Sequence, residues 1–388
     1  MKKITLLVFA AAMLFSCVKV ENASEMSGFT GTNVKVGDSG VSSNIKLLIL
    51  NEGAFPGAST LDVLSFSGQK YYADIYGQAN PQDQQGLGNT GNDMIFAGNR
   101  IWIALNASNR VVGINPKTFL LEVDLGVPSP RSLIADEHFL YVTSYGAAVY
   151  GGSQQIEGAL YRFSLNDPKN IMVVGVGYQP EGVAIENGKI FVANSGGYNF
   201  QHDNRITVID QGSFKKDKDI ELPVTNLNML KKGYGKLWIS TYGESSWEQD
   251  GSGNWVQTVS APMSLVALSP TLEAEIVEGV HANKITECKG IIYAVGNNAE
   301  MTGGTDYCLY KVNAADMKVE TVHFAGTDLA GIAYPYCIYI NPLNEDIYIA
   351  DASFTGDSTL WCFSKDFKLK WSIPTGVGTG HLLLYQTN

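Results

Sequence analysis

The residues able to do covalent or metal chemistry are few and scattered. His138, His202, His281, His323 and His381 stand singly, and none has a second His or a Cys at metal-ligand spacing. Cys288, Cys308, Cys337 and Cys362 sit in apolar, strand-like stretches ("TECKG", "YCLYK", "PYCIY", "LWCFS") and read as buried free thiols, so no disulfide is assigned. No G-x-S-x-G elbow, H-E-x-x-H helix, P-loop or G-x-G-x-x-G after a strand occurs. Asp250 and Asn254 in "QDGSGNW" look like part of a Ca²⁺ loop but lack the flanking helices and terminal Glu of an EF-hand, which leaves a hairpin tip.

What remains is binding chemistry. Aromatics interleaved with amides and carboxylates recur in loops: Glu52 and Phe55, Asn106 and Asn109, Tyr145 and Tyr150, Asn194 with Tyr198 and Phe200, Tyr242 with Trp247 and Trp255, and Asp351 with Phe354. A second set precedes apolar strands: Asn92, Asp93, Arg131, Glu181, Asn226, Asn228, Tyr336 and His381. Large rings with adjacent hydrogen-bonding groups suit a broad amphipathic ligand. The candidate ligand-binding residues are therefore Glu52, Phe55, Asn106, Arg131, Tyr145, Glu181, Asn194, Tyr198, Phe200, Tyr242, Trp247 and Asp351; no catalytic or metal-ligating residue and no cofactor is assigned.

The elements that position these loops repeat. An apolar strand ending in a polar loop occurs as "KLLILNEG", "RIWIALNASN", "FLYVTSYG", "KIFVANSGG", "KLWISTYG", "IIYAVGNN" and "DIYIADAS", seven copies in all. Each is followed by a second alternating strand ("NRITVIDQGSF", "STLWCFSKDF"), then a more polar third ("KKDKDIELP", "KLKWSIPTG"), then a short apolar strand that leads into the next copy. Four-stranded antiparallel units at this spacing specify an all-β, seven-bladed propeller. The first unit lacks its leading strand and the chain ends in an orphan one, "HLLLYQ", so the C-terminal strand is expected to close the ring and remove two open edges. No helix is required. In such a blade the loop after the second strand and the loop leading into the first share one face, around the mouth of the central channel.

The 41 glycines, with 11% aromatic and only 17% charged residues, fit a turn-rich β protein. With 27 Lys and Arg against 38 Asp and Glu the net charge is −11, and no basic cluster exceeds "KKDK", which argues against a nucleic-acid partner. The N-terminus reads as an export signal, residues 1–17: Lys2 and Lys3, the apolar run "ITLLVFAAAMLF", and "LFSC" ending at Cys17, the pattern of a lipobox whose cysteine is acylated. Residues 18–44, rich in Ser, Gly, Asn and Thr, are expected to form a flexible tether with a reach of about 30 Å, ahead of a propeller spanning 45–388.

The ordered set "LNEG", "GNDMIFAGNRIWI", "VTSYG", "QPEGVAIENGKIFVANSGGY", "VIDQGSF" and "LWCFSKDFKLKWSIPTG" resembles the YncE-type propeller lipoproteins, and within them is most similar to the BtuG-type vitamin B12-binding group. The resemblance covers residues 45 to 386. It implies a lipid-anchored, surface-exposed outer-membrane protein without enzymatic activity, which captures a corrinoid for a TonB-dependent transporter. Two other classes stay open on the residues themselves: a propeller enzyme of lactonase or quinoprotein type, and a protein-interaction platform.

Overall fold

The computed structural model describes residues 26–37, 44–54, 57–147, 156–197, 202–297 and 306–386. They form seven antiparallel sheets whose inner strands are Thr379–Gln386 (blade one), Gly91–Ala97, Pro130–Ala135, Pro180–Glu186, Leu227–Gly233, Lys284–Cys288 and Pro335–Ile340 (blade seven). Each inner strand packs against the next around a closed circle, blade seven returning to blade one. The expected seven-bladed propeller is the observed fold.

Closure follows the expected route. Thr379–Gln386 pairs antiparallel with Ile45–Asn51, so the last strand of the chain becomes the inner strand of the first blade. Alternation explains why the strands seek this arrangement. Successive side chains point to opposite faces of a sheet, and in a ring both faces meet a neighbouring blade. Apolar clusters fill these interfaces: Trp102, Leu133 and Phe163 between blades two and three, for example, and Trp238, Ile285 and Ile292 between five and six. Each such large side chain contributes about 1.5–3 kcal/mol on burial. The indoles are also anchored, since Trp102 Nε1 donates to Ala97 O and Trp238 Nε1 to Gly233 O, both at 3.1 Å. Outer edges are blunted by charge, as in the exposed lysines of Lys215–Glu221 on blade four.

Three features depart from the sequence expectations. The tether anticipated over 18–44 includes a docked segment: Thr32 and Asn33 pair with Tyr71 and Lys70 as an extra outer strand of blade one, Phe29 meets Phe119 edge-on at 5.8 Å, and Val36 is fully buried. Isolated apolar residues in a polar stretch are enough to hold it. A five-residue helix, Ile75–Ala79, and a 3-10 turn, Asp328–Gly331, appear where no helix was anticipated. The long "YGESSWEQDGSGNWVQ" segment is a separate two-stranded ribbon, Glu244–Gln249 with Trp255–Ala261. Its tip is the hairpin turn expected there, with Asp250 accepting from the backbone of Ser252 and Asn254. Cys288, Cys308, Cys337 and Cys362 are free thiols, the first two and the last buried.

Candidate functional site

The start of every inner strand lies beside the end of the second strand of its blade, as Pro180 pairs with Asn194 and Pro335 with Asp351. The two sets of loops therefore do share a face. What aims side chains into the channel is a recurring irregularity. In six blades the inner strand carries extra residues just after its first one: Asn92, Arg131–Ser132, Glu181–Gly182, Asn228–Met229, Tyr336 and Gly380 fall outside the pairing register. A β-bulge bends its strand and re-aims a side chain. Hydroxyls opposite the bulges catch freed amides: Ser132 N donates to Thr143 Oγ1 at 2.8 Å and Met229 N to Ser240 Oγ at 3.2 Å.

These residues line a cavity of about 300 Å³ in the channel, with Glu52, Asp93, Lys231, Tyr242, Lys284 and His381. Arg131 is gripped bidentately by Glu181, at 2.9 and 3.1 Å, and donates to Asn92 Oδ1 at 2.7 Å. Tyr145 lies against this guanidinium at 5.0 Å and donates its hydroxyl to Glu181. Burial by itself would ease the proton off Arg131, yet the facing Glu181 holds its pKa well above the ordinary value. Glu52 accepts from Tyr336 Oη at 2.8 Å, and Lys284 Nζ sits 4.2 Å above the Tyr336 ring. Burial raises the Glu52 carboxyl despite this hydrogen bond and the nearby Lys284. Asp93 is also raised by burial, although it accepts from the backbone N–H groups of Met94 and Leu133 at 2.8 and 2.7 Å. Lys284 is lowered by burial, which Glu52 opposes. Burial and the three cations Lys284, Lys231 and Arg131 push the His381 imidazole down to about 3, so it is neutral although its Nδ1 stands 3.6 Å from Asp93.

An aromatic cluster stands at the rim on blade seven. Tyr334 stacks on Tyr336 at 5.7 Å, Phe354 meets Tyr336 edge-on at 5.3 Å, and both Tyr334 and Phe354 are exposed. Two glycines make room for it. A Cβ on Gly378 would come within 2.8 Å of the Phe354 ring, and one on Gly380 within 2.9 Å of Glu52 Oε1.

Of the candidate residues, Glu52, Arg131, Glu181 and Tyr242 line the cavity, and Tyr145 braces it through Glu181 and Arg131. Three others make hydrogen bonds within the protein. Asn194 is fully buried, accepting from Gly177 N of blade three at 3.0 Å and donating to Arg205 O and Thr207 Oγ1 of blade four at 2.7 and 3.1 Å, so its amide is used between the two blades. Asn106 donates to Pro130 O, and Asp351 accepts from Ala333 N and Tyr334 N; both hold loops in place. Phe55, Tyr198, Phe200, the Trp247 side chain and Cys17 lie outside the described residues. The base of the loop carrying Tyr198 and Phe200 is nonetheless anchored: Asp203 is paired with Arg205 at 2.7 Å and accepts from Tyr178 N, and His202 Nδ1 reaches Glu244 of the blade-five ribbon at 3.2 Å. Sequence reasoning missed Tyr334, Lys231 and Lys284. Aligning the leading strands would have exposed Lys284, which follows Asn283 as Asp93 follows Asn92 and Cys337 follows Tyr336.

No family model and no curated protein matches this sequence. Solved structures do resemble it. A putative 6-phosphogluconolactonase from Bacteroides uniformis aligns with a TM-score of 0.56 at 9% identity, over 88% of this chain and 100% of that one. A second, from Bacteroides fragilis, gives 0.55 at 8% identity over 90% and 99%. Apo AztD from Citrobacter koseri gives 0.51 at 12% identity over 88% and 97%. At these identities the likeness is one of fold: the chain is a seven-bladed β-propeller, with a polar, bulge-built channel mouth as its site.

Proposed function

We propose that this propeller is a ligand-binding protein without catalytic chemistry, anchored at the outer membrane through Cys17, and that it captures a corrinoid for a TonB-dependent transporter. The observation that supports binding is the mouth itself, where residues from six bulged strands and an exposed aromatic cluster converge on one opening. The corrinoid rests on the resemblance of the ordered motifs to the BtuG-type lipoproteins. At about 300 Å³ the cavity is at the small end of ligand sites, so a corrin would lie across the mouth. There its amide fringe would meet groups such as Tyr242, and its flat face would meet Tyr334 and the aromatics Tyr198 and Phe200. Titration of the purified protein with cyanocobalamin by calorimetry tests this directly. Saturable binding, weakened at least about thirtyfold in a Tyr198→Ala, Phe200→Ala double variant, is the expected result. Absence of binding by the parent discards the corrinoid.

A second reading is a lactonase-like enzyme. It is favoured by the carboxyls of Glu52 and Asp93, held above their usual range by burial beside Lys284 and Lys231, an arrangement suited to proton transfer. Hydrolysis of a sugar lactone that disappears in Glu52→Gln would support this reading against the first.

A further inference from the structure

We infer that the channel itself binds a small oxyanion, a carboxylate or phosphate group, between Lys231 and Lys284. The two lysines stand on the inner strands of blades five and six, which pack directly against each other, and both face the same cavity. Among the described residues neither ammonium has an ion-pair or hydrogen-bond partner; Lys284 has only the Tyr336 ring.

The carboxylates of the cavity make their hydrogen bonds to other groups. Glu181 is taken by Arg131 and Tyr145, Glu52 by the Tyr336 hydroxyl, and Asp93 by two backbone amides. His381, a further titratable group on this wall, stands next to Asp93 and adds no negative charge. Arg131 is likewise satisfied. The cavity thus holds three cations and three carboxylates, and its two ammonium groups are left without a hydrogen-bond acceptor among the described residues. Unpaired, partly buried ammonium groups carry a desolvation penalty that an anionic ligand would relieve with charge-assisted hydrogen bonds. The volume admits a phosphate or a short carboxylic acid.

Such an anion could be free or could be carried by a larger molecule seated across the mouth. The inference holds whether or not a corrinoid is that molecule. Calorimetry and thermal melts of the purified protein with inorganic phosphate, acetate and phenyl phosphate, against chloride at matched ionic strength, test it and separate the two sources. Saturable binding of at least one probe is expected, with a rise in Tm. Phosphate or acetate binding more tightly than phenyl phosphate indicates a free anion; the reverse order indicates an anionic group on a larger ligand, its ring resting on the tyrosines. Lys231→Met and Lys284→Met should each weaken binding about tenfold. Lys284→Arg should retain it, as should Lys232→Met, because Lys232 pairs with Glu186 at 3.0 Å outside the cavity. No saturable binding of any probe by the folded parent, or parental affinity in the folded double Lys→Met variant, overturns the proposal.

Discussion

Two sets of polar residues meet on the loop face of this propeller and do opposite jobs. At the ends of the second strands, Asn51, Ser144, Asn194, Thr241 and Asp351 point their polar groups back into the protein. Asn51 donates to Thr60 Oγ1 at 2.9 Å and accepts from Thr379 Oγ1 at 2.6 Å, while Thr241 Oγ1 accepts from Ser264 N at 2.9 Å. At the starts of the inner strands, Asn92, Arg131, Glu181, Asn228 and Tyr336 point into the channel. The difference is backbone geometry, because both sets have similar side chains. A regular strand end keeps its side chain on the pleat, between blades, where an unpaired polar atom would be costly. A bulge turns the side chain out of that plane, so the channel residues are free to face a ligand.

The largest test of this comparison removes both sets at once. Truncation before Thr379 deletes the partner of Asn51 together with Gly380 and His381, and exposes the cluster holding Leu382 and Leu384. At about 1.5–3 kcal/mol for each large apolar side chain, on both sides of the lost strand, the sum rivals the 5–15 kcal/mol that holds a typical domain folded. The truncated chain should be insoluble or lack a cooperative melt by circular dichroism; a near-parental Tm would refute ring closure by this strand.

The next effect separates the sets. Asn194→Ala leaves Gly177 N–H of blade three and Arg205 C=O of blade four without their side-chain partner, and unsatisfied buried groups cost about 1–3 kcal/mol each. We expect a loss of about 3 kcal/mol in urea unfolding with cavity-ligand affinity unchanged. Tyr336→Phe, a channel residue, removes a single hydrogen bond to Glu52 and should shift stability by about 1 kcal/mol or less while altering ligand binding. If the two variants exchange these phenotypes, the division between bracing and channel residues is wrong.

The legible part of this structure was whatever obeys a period. Strands, blade number, ring closure and the shared face follow from alternation, turn spacing and antiparallel pairing, which a string of residues records directly. Side-chain direction at the bulges does not. "PEGVAIE" and "NLNMLKKG" read as plain leading strands, and only the pairing of Pro180 with Asn194 and of Val183 with Val192 shows that Glu181 and Gly182 together face a single residue. The inward engagement of Asn194 is not legible either, because its partners, Gly177 on blade three and Arg205 on blade four, meet it only once the ring is folded. Lys231 and Lys284 escaped notice because a lysine in a strand normally means a solvated face; closing the ring turns that face inward.

The smallest expected effect is confined to acid. His381 stands on the channel side of the closing strand, and burial together with Lys284, Lys231 and Arg131 lowers its pKa from the ordinary 6.5 to about 3. Between those limits the unfolded chain binds a proton at this residue that the folded protein refuses, so His381 has no effect above pH 6.5 and lowers stability progressively as pH falls toward 3. Glu52 and Asp93 act with the opposite sign: raised by burial, they take up protons in the folded state first, and acidification relieves their buried charge. Those carboxyls remain in a His381→Gln variant, so the difference between variant and parent isolates the imidazole together with its contact to Asp93. Allowing for channel water, His381→Gln should match the parent at pH 7 and exceed it by about 1 kcal/mol at pH 5 in urea unfolding. Equal stability at both pH values would mean that the imidazole titrates normally and that the three cations do not dominate the channel. A variant that is less stable than the parent at pH 5 would mean that protonated His381 pairs with Asp93, which would reverse the electrostatic reading of this wall.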